Sequence, residues 1–270
     1  MEKHRKPAVA GMFYQSNPQR LRNEIDSFIS SSPKRSSEKV KFLISPHAGY
    51  VYSGKIAGES FAEVKGESYE HVILLGPSHR HHFHGMVESD SLYWDLPLGS
   101  LKIAAVDSPG IHQNFGFHEN EHCLEVQLPF LHSLYPDARY SPILLSGSFE
   151  EANKYADTLK SLDSDETLWV ISSDFNHVGP NFQHYPEQFG YHSGESMDLE
   201  AIDFVTRGDI QGFIAFMKKT NATICGALPI LVAMHLIKKL NRRGFVFKSY
   251  DCSGKQTGDS NSVGYAALYC

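Results

Sequence analysis

The sequence predicts an α/β fold in which a single domain contains a largely parallel central sheet flanked by helices. Three short apolar runs, at positions 43–45, 72–75 and 168–172, show no alternation of polar and apolar side chains. Such runs are typical of strands buried on both faces, which occur mostly in parallel sheets. Each run ends in small residues and is followed by a histidine: His47, His79 and His177. With 270 residues, 41% of them apolar, and no long linker, the chain fits one domain over residues 1–270.

The first third of the chain predicts a helix followed by a βαβ unit. Asn17 can cap a helix whose first position is Pro18. The first strand covers residues 40–45, and Ser53 then caps a helix whose apolar residues share one face. The second strand covers residues 71–75 and leads into a loop rich in histidine, whose later histidines we expect to face mostly solvent.

The remaining elements continue the alternation of strands and helices. In chain order they are strand-like pieces within residues 85–104, strands at 140–145 and 168–172, two helices over 198–219 that are broken at Gly208, a long apolar helix that opens within 223–230 and runs to about Leu240, and two final strands at 244–251 and 263–270.

Residues 118–131 combine acidic, histidine and apolar side chains. Glu121, His122 and Glu125 fall on one face of a predicted helix by the i, i+3, i+4 spacing, and apolar residues fall on the opposite face. A polar face of this kind is usually solvated, but the preceding loop is also rich in His and Glu. We therefore expect the helix to form one wall of a site, with Glu121 and His122 as candidate catalytic residues.

Charge and cysteine content exclude several classes of protein. The formal net charge of −6 and a pI near 6.2 argue against nucleic acid binding. The charged first residues precede no apolar core, and nowhere do 18 apolar residues run together, so neither a secretory signal nor a membrane span is predicted. The cysteines form no CxxC pair, which fits a reducing compartment and excludes a finger-type zinc site. They are Cys123, Cys225, Cys252 and Cys270. We expect a soluble, cytoplasmic protein.

The ends of the predicted strands bring together residues that can bind a metal. In open α/β sheets the ligand lies beyond the carboxyl ends of the strands, so His47, His79 and Asp174 are expected to meet at one edge with His177. Imidazole and carboxylate groups suit iron, zinc or copper. The alternative is that some of the 15 histidines fall at strand ends by chance.

Cys225 is predicted to lie near the N-terminus of the long apolar helix. The helix dipole favours a thiolate there, the form that binds metals and attacks electrophiles. The alternative is a small buried hydrophobic residue, the commoner role of a free cysteine.

Five motifs, in order along the chain, resemble the Memo family. They are Pro-His-Ala-Gly-Tyr at 46–50, Gly-Pro-Ser-His at 76–79, Glu-His-Cys-Leu-Glu-Val-Gln-Leu-Pro at 121–129, Ser-Ser-Asp-Phe-Asn-His at 172–177 and Thr-Ile-Cys-Gly at 223–226. The resemblance runs from residue 10 to residue 267 and implies a fold similar to class III extradiol, non-haem iron dioxygenases of the LigB type.

The resemblance also implies one mononuclear metal site, occupied by Fe(II) or copper. Its ligands fall on His47, His79 and Cys225, while Asp174 and His177 line the same pocket. Family members act in receptor-driven cell motility in animals and accompany AMMECR1-type and radical-SAM proteins in microbes. The implied partners are therefore these proteins and a small-molecule or peptide ligand.

Three functions follow from this set of residues. The first is a redox-metal oxidoreductase in which Asp174 orients a ligand and His177 or His122 moves protons. Its metal would be bound by a thiolate where dioxygenases use a carboxylate, which argues against catechol ring cleavage. The second is a hydrolase with Cys225 as nucleophile, His177 or His79 as base and Asp174 as orienting group. The third is a signalling adaptor that binds a peptide or phosphopeptide in the same crevice without catalysis.

Overall fold

A mixed sheet of nine strands lies at the centre of the structure, a computed structural model that describes residues 3–270. In chain order the strands are β1 (His4–Arg5), β2 (Phe42–Ser45), β3 (His71–Pro77), β4 (Gly85–Glu88), β5 (Tyr93–Leu96), β6 (Gly99–Lys102), β7 (Ile111–Gln113), β8 (Arg139–Ser146), β9 (Thr167–Ser172), β10 (His177–Val178), β11 (Val246–Cys252) and β12 (Ser262–Tyr269). The α-helices are α1 (Pro18–Ser30), α2 (Tyr50–Ala62), α3 (Phe115–Glu119), α4 (Leu128–Leu134), α5 (Ala152–Leu159), α6 (Gly194–Arg207), α7 (Ile210–Thr220), α8 (Ala227–Lys239) and α9 (Ser253–Thr257).

Four parallel strands form the middle of the sheet. The strand order is β10-β12-β2-β9-β3-β8-β4-β7, with β11 also paired to β12. Strands β2, β9, β3 and β8 run parallel, whereas β12 is antiparallel to β2 and β4 is antiparallel to β8. Strands β1, β5 and β6 form a separate small sheet. The predicted α/β fold with one domain and a central sheet flanked by helices is confirmed; the sheet is parallel in its four middle strands and mixed as a whole.

Helices cover both faces of the central strands, which explains their unbroken apolar sequences. Along β2, Phe42 and Ile44 pack into a core with α5, α6, α7 and α8, while Leu43 packs into the opposite core with α1, α2 and α4. Strand β3 divides in the same way, with Ile73 on the first side and Leu74 on the second. Because β2, β3 and β9 are parallel, the loops after them leave the sheet at the same edge.

Two predicted helix boundaries are confirmed and one is wrong. The Asn17 side chain accepts a hydrogen bond from the Arg20 backbone N–H (3.0 Å), and Gly208 ends α6 in the left-handed region at φ +67°. Helix α2, however, begins at Tyr50 rather than after Ser53, so Ser53 lies inside the helix, where its hydroxyl donates to the Ala48 carbonyl (2.9 Å).

The helix predicted over residues 118–131 is also wrong for the most part. Residues 118 and 119 end the short helix α3, residues 120–124 form a loop, a single 3₁₀ turn covers Glu125–Gln127, and regular helix resumes with α4. Glu121 and Glu125 are both buried, so the polar face is not solvated. The cause is Arg5, which is itself fully buried and donates to the Glu125 carboxylate (2.6 Å) and to the Glu121 carbonyl (2.7 Å). Helical periodicity cannot reveal a partner that lies so far away in the sequence.

No helix within residues 3–270 is both long enough and apolar enough to cross a membrane.

Candidate metal centre

The loops at one edge of the sheet bring the candidate residues together. His47 follows β2, His79 follows β3, Asp174 follows β9, and Cys225 lies just before α8. The rings of His47 and His79 have centroids 5.2 Å apart. The His47 backbone N–H donates to the Asp174 carboxylate (2.7 Å), and the Cys225 sulfur lies 3.2 Å from Nε2 of His47.

The tautomer of His47 follows from the hydrogen bonds of Ser172. The single hydroxyl proton of Ser172 is donated to the Cys123 carbonyl (2.7 Å), and the amide nitrogen of Gln127 donates to the same hydroxyl oxygen (2.9 Å). That amide also donates to the Pro46 carbonyl (2.8 Å), which fixes its nitrogen as the donor. Nδ1 of His47, 2.8 Å from the Ser172 oxygen, must therefore carry a proton, and Nε2 keeps its lone pair.

Glu121 orients the other two histidines of the site. Its carboxylate accepts hydrogen bonds from the backbone N–H groups of His79 (2.7 Å) and His122 (2.9 Å), and it contacts Nδ1 of both rings, at 2.9 and 3.2 Å. Burial raises the pKa of Glu121, but the hydrogen bonds from His122 and His79 together outweigh it and hold the pKa well below its usual range. An ionised carboxylate that holds Nδ1 leaves Nε2 of each ring available to a metal, the usual arrangement around metal-binding histidines.

His47, His79 and His122 form a compact cluster of imidazoles. One ring nitrogen of each lies within 4.8 Å of the others. The His122 ring has its centroid 4.7 Å from that of His79 and 5.5 Å from that of His47. Burial lowers the pKa of His47 well below its usual value, so this imidazole is neutral, the form that binds metals.

The Cys225 thiol lies at the side of this cluster. The Asp174 backbone N–H donates to its sulfur (3.2 Å), and the next residue, Gly226, donates its N–H to the Ser173 hydroxyl (3.1 Å). Although Cys225 precedes a helix as predicted, burial raises the pKa of its thiol far above the usual value, with the charge of Asp174 as the second cause. The helix dipole alone is therefore not enough to give a thiolate here. A metal cation beside the sulfur would be enough, because it lowers the pKa of a thiol.

Asp174 and His177 lie beside the cluster in different environments. Burial raises the pKa of Asp174 to about 6, against the opposing effect of the His47 N–H bond. Burial lowers the pKa of His177 to about 4, so its ring is neutral near pH 7. Within the part of the chain that the structure describes, Nε2 of His177 is buried and has no hydrogen-bond partner. The His177 side chain lines the adjoining cleft, and this unpaired nitrogen lies beneath the cleft surface.

A network behind the site holds two of its loops together. The buried Asp198 carboxylate of α6 accepts from the Asn176 backbone N–H (2.9 Å) and side-chain amide (2.7 Å). The side-chain oxygen Oδ1 of Asn176 accepts from the backbone N–H of Thr223 (2.8 Å), two residues before Cys225. Asn176, Thr223 and Gln127 all lie within the sequence motifs, but their roles were not predicted because they depend on hydrogen bonds between distant segments. Ser172 was predicted only as a strand end, and nothing in the sequence pattern indicates Asp198.

A cleft of about 470 Å³ opens beside the cluster. His122, Asp174 and His177 contribute polar groups to its lining, and Phe13 and Tyr265 contribute aromatic rings. The Phe13 ring packs against His122 with a centroid distance of 5.0 Å, so the cleft adjoins the histidine cluster through His122.

Comparison with known proteins agrees with the motifs. A family model described as Memo-like protein matches residues 5–269. The chain is 34% identical to a MEMO1 family protein of Saccharolobus solfataricus, over 97% of this chain and 98% of the relative. It is 31% identical to a MEMO1 family protein of Nitrosopumilus maritimus, over 98% of each.

Proposed function

The chain belongs to the Memo-like protein family, and on that premise we propose that it is a metal-dependent redox protein whose single metal ion is held by His47, His79 and Cys225. The observation that carries the proposal is the arrangement of the imidazoles: Nδ1 of each ring is bonded to Ser172 or Glu121, and one nitrogen of each lies within 4.8 Å of the others. Outer hydrogen bonds of this kind are typical of histidines that bind a metal, and they support His47 and His79 as ligands in this proposal.

The position of Cys225 supports its assignment as the third ligand. Its sulfur is 3.2 Å from Nε2 of His47. A nitrogen and a sulfur bound to one tetrahedral metal ion lie roughly 3.6 Å apart, close to this distance. The compact group of ligand atoms contains His122 rather than Cys225, so the proposal requires the sulfur to move toward His79 when a metal binds. His122 is adjacent and is available either as a further nitrogen donor or as a proton acceptor.

The donor set favours a redox-active metal. A thiolate with imidazoles suits copper, or iron of altered redox potential, and the ion would supply one-electron chemistry with oxygen or an organic substrate. In this proposal Glu121 keeps His79 and His122 oriented. Nε2 of His177, which is unpaired among the described residues, would exchange a proton with a molecule in the cleft after a small movement that exposes it. We further propose a fold relationship to LigB-type dioxygenases without their ring-cleaving activity, because a sulfur replaces the carboxylate ligand.

A second candidate function is a cysteine hydrolase. It is favoured by the 3.2 Å contact between Cys225 and His47, since the Ser172 oxygen holds His47 in the tautomer of a general base. The base would be His47, whereas the sequence predicted His177 or His79. The raised pKa of the thiol argues against this function in the absence of a metal.

Elemental analysis of untagged protein tests the proposal. We expect iron or copper to be bound by the native protein and lost in His79→Ala and in Cys225→Ser, with folding checked by circular dichroism. His82→Ala, an exposed histidine in the same loop, is the matched control and should retain the metal. Absence of iron and copper from the native protein after anaerobic reconstitution, or full retention in both variants, contradicts the proposal.

The effect of a chelator on the protein's activity separates the two candidate functions. If Cys225 acts as a nucleophile without metal, chelation should leave ester hydrolysis unchanged. If Cys225 is a ligand, chelation should abolish oxygen consumption and the electron paramagnetic resonance signal of the bound ion.

A further inference from the structure

A second, smaller pocket lies between the turn at residues 11–16, helix α1 and the start of helix α2. Its volume is about 200 Å³, and Glu24 of α1 forms part of its lining. The pocket shares Met12, Phe13 and Val51 with the cleft beside the histidines, but it contains none of the histidine or aspartate residues of that cleft. It is therefore a separate cavity whose chemistry must be read from its own residues.

Glu24 is the only charged residue among the described residues that line this pocket. Its Oε2 is buried and has no hydrogen-bond partner within residues 3–270. Burial raises the pKa of Glu24, and no neighbouring charge offsets this effect, not even that of Arg20, which is exposed one helical turn earlier. A carboxylate that is partly removed from water normally has a cationic or hydrogen-bonding partner. The position of Glu24 thus indicates a site that receives a cation from outside the chain.

Two tyrosines that line the pocket present their rings to it rather than their hydroxyl groups. The Tyr14 hydroxyl donates to the buried carboxylate of Glu125 (2.8 Å), and the Tyr50 hydroxyl donates to the Val126 carbonyl (2.8 Å). Both hydroxyls are therefore held in the protein interior, and the two ring centroids lie 5.7 Å apart. Aromatic rings attract cations electrostatically, and they favour organic ammonium ions in particular.

One carboxylate beside aromatic rings suits an organic ammonium ion better than a metal ion. A calcium ion takes roughly six to eight oxygen ligands, whereas Glu24 is the only carboxylate in the lining. A volume of about 200 Å³ corresponds to about six or seven groups the size of a water molecule, at roughly 30 Å³ each. Met12 and Val51, which are 73% and 79% exposed, also line the pocket and can contact alkyl groups.

We propose that this pocket is a binding site for a small organic ammonium ion, whose charge pairs with Glu24 and whose alkyl groups contact the rings of Tyr14 and Tyr50. The ion would supply the counter-charge that Glu24 does not find within residues 3–270. The site lies outside the histidine cluster, so its existence does not depend on the proposed redox function.

An NMR titration of the full chain with choline tests the proposal, and 3,3-dimethyl-1-butanol serves as an uncharged probe of the same shape. Choline chloride replaces sodium chloride during the titration, so that the ionic strength stays constant. We expect choline to bind saturably and at least about tenfold more tightly than the alcohol. The backbone amide signals of residues 11–16 should shift, whereas those of residues 259–265, which lie at the cleft alone, should not.

Three variants locate the charge that binds choline. Glu24→Gln keeps the shape of the side chain and should weaken choline binding at least about tenfold, while binding of the alcohol stays the same. Without choline this variant should be at least as stable to urea as the native chain, because the carboxylate has no partner to lose. Asp26→Asn removes an equal charge from α1 outside the pocket, so it should change choline affinity by less than about twofold. Arg20→Ala should leave choline binding in place.

Four results would overturn the proposal. The alcohol could bind as tightly as choline, which shows that the charge is not recognised. Glu24→Gln and Asp26→Asn could weaken choline equally, which indicates general attraction to an acidic protein. Choline could shift the signals of residues 259–265 instead of those of residues 11–16, which places it in the cleft. Finally, the native chain could fail to bind choline; if binding then appears in Arg20→Ala, the partner of Glu24 is Arg20.

Discussion

The Ser172 hydroxyl oxygen lies 2.8 Å from Nδ1 of His47, and the proton between them belongs to the imidazole. Ser172 therefore acts on the site through His47 and not on the metal itself: it keeps the lone pair of His47 on Nε2, the nitrogen that faces Cys225. In Ser172→Ala this acceptor is lost and both tautomers become accessible. We expect the affinity for iron or copper to fall about 10- to 100-fold, as for other outer partners of metal-binding histidines.

A second serine of the sheet provides the control for this prediction. The Ser141 hydroxyl also contacts a histidine, at 2.8 Å from Nε2 of His71, and donates to the Ala104 carbonyl, but it lies away from the site. Ser141→Ala should leave metal affinity unchanged. Nitrogen-15 NMR of the metal-free protein should detect Nδ1–H His47 in the native chain and a mixture of tautomers in Ser172→Ala. An unchanged tautomer together with unchanged affinity would contradict the assigned role.

The buried ion pair of Arg5 and Glu125 gives a prediction about stability. Both side chains are fully enclosed and are 2.6 Å apart, and the Arg5 guanidinium also stacks on Trp94 at 4.2 Å. Replacing Arg5 by Ala leaves a carboxylate buried without its counter-charge, which costs about 3–5 kcal/mol. We expect a loss of this size in the free energy of urea unfolding. Metal affinity should also fall, because Arg5 holds the Glu121 carbonyl.

A double variant and an ion pair on the surface test whether the buried Arg5–Glu125 pair causes this loss of stability. Adding Glu125→Gln to Arg5→Ala should restore part of the lost stability, since the unpaired charge is then gone. Arg243 and Glu38 form an ion pair with both side chains exposed, so Arg243→Ala should change the unfolding free energy by less than about 1 kcal/mol. If Arg5→Ala changes the unfolding free energy as little as Arg243→Ala does, the Arg5–Glu125 pair does not hold residues 118–125 in place.

These residues illustrate how far the sequence could predict the structure. The apolar runs of β2, β3 and β9 predict buried parallel strands, and parallel strands place the residues after them at one edge. For that reason the proximity of His47 to His79 could be predicted from strand patterns alone. The loop that carries Glu121 could not, because its conformation is set by Arg5, more than a hundred residues earlier. Local periodicity reports which face of an element is buried, and it carries no information about hydrogen bonds between distant segments.

Asp198 gives a prediction about pH dependence. Burial raises the pKa of this carboxyl to about 7, against the hydrogen bonds from Tyr250 and Asn176. In the unfolded chain an Asp has a pKa of about 3.9. Between these two pKa values the folded protein keeps a proton on Asp198 that the unfolded chain has lost. The contribution of Asp198 to the free energy of unfolding is therefore fully present below about pH 4 and is lost as the pH rises to about 7. The loss is about 1.4 kcal/mol per pH unit, or up to about 4 kcal/mol in total.

Urea unfolding of metal-free protein at several pH values between 4 and 8 measures this contribution. The stability of the native chain relative to Asp198→Asn should fall across the interval and level off above about pH 7. Asp203, exposed on the same helix, serves as the control for loss of an aspartate, because Asp203→Asn should change the unfolding free energy by less than about 1 kcal/mol. A constant difference between the native chain and Asp198→Asn would mean that the carboxyl is already ionised in the fold at pH 4.

Gly226 links helix packing to the position of the Cys225 sulfur. A methyl group on this glycine would lie 2.4 Å from Cβ of Ser173 and 2.7 Å from the Ser172 carbonyl oxygen, and backbone atoms of a buried strand end cannot move aside easily. The backbone φ of −91° suits any residue, so the effect of Gly226→Ala is steric alone. We expect the loop before α8 to shift away from β9, with a loss of about 1–3 kcal/mol in stability and weaker metal binding.

Comparison with another glycine separates the steric effect from a general loss of backbone freedom. At Gly116 the nearest atom to an added methyl group is the Asn114 side-chain oxygen, at 3.4 Å, so Gly116→Ala should be tolerated without change in metal affinity. If Gly226→Ala binds metal as the native chain does, the sulfur of Cys225 does not depend on close contact between α8 and β9. Its assignment as a ligand would then be weakened, because a ligand displaced by the added methyl group must change the affinity.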